Sequence, residues 1–220
     1  MKKIILSLLT VAGLGFAASA QNSTPVKFGI KAGVAFPNMT ISAMGVSASF
    51  DPKTSYYVGG TADFQISDMF SIQPGLTFTN KGTKISGDNF EFNQEDVAIE
   101  SASSATLNFM YIEVPVNAVA RFNVGNAGKV FIGAGPYFAY AVSANAKAGG
   151  VKEDIKFGAS ESGFKRTDLG LNFMAGYELN NGFNIHAGYG LGLSSILDQE
   201  VSEDVAFKNK VFSVGLGYSF

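Results

Sequence analysis

Residues 107–122 read LNFMYIEVPVNAVARF. The run is apolar enough for a buried strand, yet it contains Glu113, Pro115, Asn117 and Arg121. A water-soluble core does not readily house a glutamate and an arginine, and a central strand should not contain proline. Sorting by parity resolves the conflict. Met110, Ile112, Val114, Val116, Ala118, Ala120 and Phe122 fall on one face of an extended chain. Tyr111, Glu113, Pro115, Asn117 and Arg121 fall on the other.

Seven further segments obey the same period of two: 26–36, 56–66, 70–79, 129–142, 166–179, 183–193 and 210–220. In each, one face is rich in Phe, Leu, Ile, Val and Tyr. The opposite face is mostly Gly, Ser and Thr, with a few charges. Such a small-residue face is a poor filling for a soluble barrel, which packs bulky apolar side chains inside. The apolar face is therefore assigned to lipid and the small, polar face to the lumen.

The connections alternate in length. Residues 37–55, 80–106, 143–165 and 194–209 are long and polar, whereas 67–69, 123–128 and 180–182 are short. Long loops on one rim and tight turns on the other are the layout of an outer-membrane barrel. The expected fold is all-β: an eight-stranded antiparallel transmembrane up-and-down β-barrel, with both chain ends on the short-turn rim. Pro74, Pro115 and Pro136 on three successive strands predict a patch of interrupted pairing.

The chain opens MKKIILSLLTVAGLGFAASAQNS. A basic start, a short apolar core and Ala18-Ser19-Ala20 identify residues 1–20 as a secretory signal peptide. Residues 21–220 form the expected barrel domain. The formal charge of −2 becomes about −4 once Lys2 and Lys3 are removed, which gives no pointer to nucleic acid. Cysteine and tryptophan are absent, while the chain has 26 glycines and 20 phenylalanines. Stability must then come without disulfides. After the leader no apolar run reaches the length of a membrane helix.

The charged lumen-facing candidates are Lys27, Lys31, Asp63, Glu113, Arg121, Asp168, Glu178 and His186. A confined interior must pair its charges, so these form a structural network in the first instance. Glu113 and Arg121 are eight residues apart, roughly 26 Å along a strand, and cannot be mutual partners. Each must find a cross-strand partner, and Lys31 or Lys129 could serve Glu113. His186 lies near the tight turn at 180–182 and far along its strand from Ser194 and Ser195. No catalytic residue, metal site or cofactor is assigned. Acidic residues cluster in two of the long loops: Asp88, Glu91, Glu95, Asp96 and Glu100, then Asp198, Glu200, Glu203 and Asp204. They read as a solvated rim, with cation bridging or adhesion as the sharper alternative.

Several stretches carry a family resemblance: KFGIKAGVAF (27–36), FSIQPGLTFTNKG (70–82), YIEVPVNAVARF (111–122), VFIGAGPYFAY (130–140), GYELN (176–180), YGLGLSSI (189–196) and KVFSVGLGYSF (210–220). With these the chain resembles the small outer-membrane β-barrel proteins of Bacteroidetes, often labelled porin-family or PorT-like. The resemblance implies an outer-membrane location. It also implies a terminal aromatic, Phe220, of the kind that barrel assembly machinery reads. The function expected is a structural or surface-interaction role for a monomer with a narrow, side-chain-filled lumen, contacting outer-membrane lipid and lipopolysaccharide. A small channel, or an accessory of a secretion machine, is the alternative.

Overall fold

A computed structural model describes residues 26–43, 46–86, 105–158, 162–198 and 205–220. The expected signal peptide lies outside the described residues, as do the acidic residues Asp88, Glu91, Glu95, Asp96, Glu100, Glu200, Glu203 and Asp204. The strands are β1 (Val26–Ala43), β2 (Val46–Ser49), β3 (Ser55–Gln65), β4 (Phe70–Ile85), β5 (Ala105–Val124), β6 (Gly128–Ala148), β7 (Val151–Asp154), β8 (Thr167–Leu179), β9 (Phe183–Gly192) and β10 (Val205–Ser219). All pair antiparallel in one sheet, ordered β10-β9-β8-β6-β5-β4-β3-β1-β2, with β7 on β6. β1 also pairs with β10, from Gly29↔Ser219 to Ala43↔Val205, so the sheet turns back on itself into a barrel-like wall.

The expectation of eight strands joined simply up and down is thereby corrected: among the described residues the sheet has ten strands. β10 occupies one edge of β1. The other edge carries β3 as far as Ala35↔Ser55 and then β2 from Thr40↔Ser49. In the same way, one edge of β6 holds β8 up to Tyr140↔Thr167 and then β7 from Asn145↔Asp154. Two stretches assigned to loops thus fold into hairpins that continue the wall where β3 and β8 stop. The polar composition of 37–55 and 143–165 concealed them, because above the membrane a strand needs no greasy face.

The long strands extend beyond their sequence-assigned ends towards the long-loop rim: β1 to Ala43, β4 to Ile85, β6 to Ala148, and β10 begins at Val205. Alternation holds through the apolar band. On β5, Phe109, Tyr111, Glu113, Pro115, Asn117 and Val119 are buried, while Ile112, Val114 and Val116 are exposed. On β6 the alternation slips once. Met110 pairs with Ser143 but Tyr111 pairs with Ala141, so Val142 is the extra residue of a bulge. Beyond it the buried residue is the even-numbered Ala144.

Pairing is interrupted where the prolines lie. β4 and β5 pair at Pro74↔Val116 and resume at Thr77↔Glu113. β5 and β6 pair at Pro115↔Tyr137 and resume at Ala118↔Ala134. The β6–β8 ladder runs unbroken through Pro136↔Leu171, so Pro136 disturbs only its β5 side.

Candidate functional site

The lumen has three storeys. Nearest the long-loop rim is an apolar cluster of Met39, Phe109, Tyr111, Tyr137, Ala139, Ala141, Ala144 and Ile196, backed by Phe50, Phe157, Phe164 and Phe207. Phe109 is the hub. Its ring centroid lies 5.1 Å from that of Phe164, edge-on, and 6.3 Å from that of Phe157. Because these residues come from β1, β5, β6, β10 and the segments beside β7 and β9, they cross the barrel interior rather than line one wall.

The middle storey is ionic and centred on Lys81. Its Nζ lies 2.7 Å from Glu113 Oε2 and 3.1 Å from Asp168 Oδ2. The Lys81 side chain is 3% exposed and that of Asp168 is 0% exposed. Tyr137 donates its hydroxyl to Asp168 Oδ2 at 3.2 Å, and Asn209 Nδ2 donates to the same oxygen at 3.0 Å. Asn172 Nδ2 donates to Glu113 Oε1 at 2.9 Å. The ammonium also sits 4.2 Å from the Tyr137 ring centroid. One lysine on β4 therefore ties together β5, β6, β8 and β10. Burial of ions in this way is tolerable only because every charge has several partners.

Below, Tyr57 on β3 reaches across to β9, its hydroxyl 2.7 Å from His186 Nε2. His186 Nδ1 lies 2.9 Å from Asn184 Oδ1. Nearer the short turns, Arg121 Nη2 lies 2.5 Å from Asp63 Oδ2, and Arg121 Nη1 donates to Ser71 Oγ at 2.6 Å. Gln73 Nε2 donates to the same Asp63 oxygen at 2.9 Å. A cavity of about 120 Å³ lies between the Lys81 cluster and this rim, bordered by Lys31, Tyr57, Asn117, Arg121 and His186. Its size and polar lining suit ordered water.

The sequence candidates thus fall into separate places. Glu113 and Asp168 meet on Lys81; Asp63 and Arg121 meet each other; His186 meets Tyr57. Lys31 is half-buried and acts on Glu113 through its charge rather than by direct contact. Glu178 accepts from Ser219 Oγ at 3.5 Å, and Lys27 is exposed at the short-turn rim. The partner proposed for Glu113, Lys31 or Lys129, is replaced by Lys81. Sequence reading missed Lys81 because it placed residues 80–106 in a loop. The signal was present: Thr77, Thr79, Lys81 and Thr83 continue the lumen parity of β4.

Ser194 Oγ accepts from the Leu169 amide at 2.8 Å, and Ser195 Oγ accepts from the Leu197 and Phe207 amides at 3.2 Å. Both serine hydroxyls are engaged by backbone amides. Among the described residues, no group of three or more His, Cys, Asp and Glu side chains could hold a metal ion.

Comparison with solved structures returns barrels of low similarity. The attachment invasion locus protein Ail of Yersinia pestis, in complex with the heparin analogue sucrose octasulfate, is 19% identical. That match covers 89% of this chain and 99% of Ail, with a TM-score of 0.42. OprG of Pseudomonas aeruginosa is 14% identical over 90% of this chain and 97% of its own, with a TM-score of 0.45. No curated protein matches the chain. A family model, the outer membrane protein beta-barrel domain, matches residues 18–198. That span covers most of the chain and every described strand except β10. The chain belongs to the outer membrane protein beta-barrel domain family.

Proposed function

We propose that this outer-membrane barrel is a closed, non-catalytic scaffold that presents its long-loop rim at the cell surface. The observation that carries the reading is the filling of the lumen. An apolar cluster centred on Phe109 lies directly above the buried Lys81–Glu113–Asp168 group, and between them they occupy the outer half of the interior. A solute entering the cavity beside His186 would have to displace both. The charged lumen residues then serve as cross-braces between strands rather than as a transport path. On this reading residues 1–20 are removed on export, and the long-loop rim faces outward.

The finer resemblance to porin-family and PorT-like proteins of Bacteroidetes rests on the motifs of β1, β4, β5, β6, β8, β9 and β10. Within it, Phe220 would be the residue that assembly machinery reads. It is exposed, and its amide is held by the Phe28 carbonyl at 2.8 Å. The fitting environment is outer-membrane lipid and lipopolysaccharide, and the fitting state is a monomer. Single-channel recording of the refolded barrel in planar bilayers tests the closed lumen. No sustained conductance is expected; steady openings comparable to those of a porin would overturn the reading in favour of a channel.

A further inference from the structure

The outward face of β4, β5, β6 and β7 changes character abruptly above the apolar band. Phe78, Ile112 and Tyr140 lie level with one another in the register and are all exposed, so they mark the lipid side. The next level holds Asn80, Met110 and Ser143. The level above holds Gly82, Asn108, Asn145 and Asp154. The one above that reads Lys84↔Thr106↔Lys147↔Lys152. Directly paired residues project from the same face, and the β4–β5 ladder has no slip over this stretch, so the row faces outward with Phe78. Lys84, Lys147 and Lys152 are all exposed.

Two more cations adjoin the row. Lys53 is buried against the wall, donating from Nζ to Asn80 Oδ1 at 2.9 Å and to Asn108 Oδ1 at 2.5 Å. Arg166 donates to the Ala141 carbonyl at 3.1 Å, and its guanidinium carbon stands 6.0 Å from the Tyr140 ring centroid. It edges a groove whose floor includes Val142 and whose sides include Asn145, Lys152 and Phe157. The carboxylates on this face are Asp51 beside Lys84, and Asp154, 3.7 Å from Lys152 Nζ with both side chains exposed. Positive charge remains in excess. Burial pushes the Lys53 ammonium down to about 8, with the charge of Lys147 adding to the effect.

The height of the row selects the partner. Lys84 is six residues beyond Phe78. At roughly 3.3 Å rise per residue and about 40° of tilt, it stands roughly 15 Å above the aromatic level. The headgroup region adds about 5–8 Å to each side of the core, so the row stands just above it, and long lysine side chains reach back down to it. We propose that the outward face formed by Lys84, Lys147, Lys152 and the Arg166-edged groove binds the phosphate of a lipid headgroup in the leaflet beside the long-loop rim. This rests on the membrane orientation proposed above. Val142 and Tyr140 would meet the upper part of the acyl chains, and the basic row would meet the phosphate.

The test is native mass spectrometry of the folded barrel in neutral detergent, titrated with bisphosphorylated lipid A. The K84Q/K147Q/K152Q variant should retain the lipid at least about tenfold more weakly than the unaltered protein. The R166Q variant should weaken it to a smaller extent. A K208Q/K210Q variant removes two lysines from β10, outside the basic face, and should bind normally. Enzymatically dephosphorylated lipid A should bind the unaltered barrel poorly, and millimolar inorganic phosphate should not compete. Equal retention of the two lipids, equal loss in K208Q/K210Q, or full displacement by inorganic phosphate would each overturn the proposal. Heat-modifiable gel migration confirms that each variant is folded. A clear conductance would refute the closed lumen while leaving this result untouched, so the two ideas fail separately.

Discussion

The hydroxyl of Tyr57 and Nε2 of His186, 2.7 Å apart, join β3 to β9 across the barrel interior. The contact is possible because glycine stands where Tyr57 passes. A Cβ at Gly215 would collide with the Tyr57 hydroxyl, and one at Gly33 would lie 2.8 Å from its Cε1. The G215A variant should therefore cost about 1–3 kcal/mol, since the tyrosine cannot shift without losing His186. Y57F, which removes only the hydrogen bond, should cost about 1 kcal/mol. Urea midpoints in lipid vesicles measure both, and G215A no worse than Y57F would mean that the crossing has slack.

Lys81 offers a sharper case. Replacing it with methionine keeps most of the volume but leaves Glu113 and Asp168 buried without their cation. Breaking a buried pair in this way costs about 3–5 kcal/mol. K81M should lower the temperature of heat-modifiable unfolding well below that of the parent. The triple variant K81M/E113Q/D168N should recover part of the loss. Equal stability of K81M and the parent would show that the ion group is wet.

Which face meets lipid is testable at one residue. Val116 is 41% exposed in the middle of the apolar band of β5. Arginine there should destabilise the folded barrel by about 2–4 kcal/mol in bilayers. In a soluble barrel an exposed arginine would be neutral. Equilibrium refolding into vesicles decides between these outcomes.

Lys53 should titrate near 8, because burial disfavours its charged form and Lys147 adds repulsion. In the unfolded chain it would hold its proton to about 10.4. Between those pH values the unfolded state binds the extra proton, so this group's contribution to stability rises with pH. Below about 8 the full penalty of burying the charge applies. Isotope-edited NMR of methylated lysines should show one resonance titrating near 8. Binding of a phosphorylated lipid should move that midpoint upward, whereas a midpoint above 10 in the free barrel would contradict the assigned burial.

Much of the wall was legible in the sequence because lipid on one side and a packed lumen on the other force a period of two. LNFMYIEVPVNAVARF showed both faces in one line. What lay above the membrane was hidden for the converse reason. VSAS (46–49) and VKED (151–154) are paired on one edge and exposed along their length, so nothing constrains their side chains to alternate. Lys81 fell in the same blind zone, beyond Phe78, where the outward residues turn polar. The bulge at Val142 was likewise unreadable, because AVSANA has no bulky residue to mark the change of face. Glu113 and Arg121 were legible as lumen residues, but their partners came from strands distant in sequence.

The register that joins β1 to β10 runs through fifteen residue pairs. It links the first described strand to the last, separated by most of the chain. Such contacts carry the highest loop-closure entropy in the molecule and form late. Until β10 arrives, the edge of β1 opposite β2 and β3 offers a long row of unpaired amides, an aggregation hazard in water. Folding of this protein is therefore governed by the arrival of its C-terminal strand. Loss of that strand should leave an open sheet prone to self-association rather than a smaller barrel.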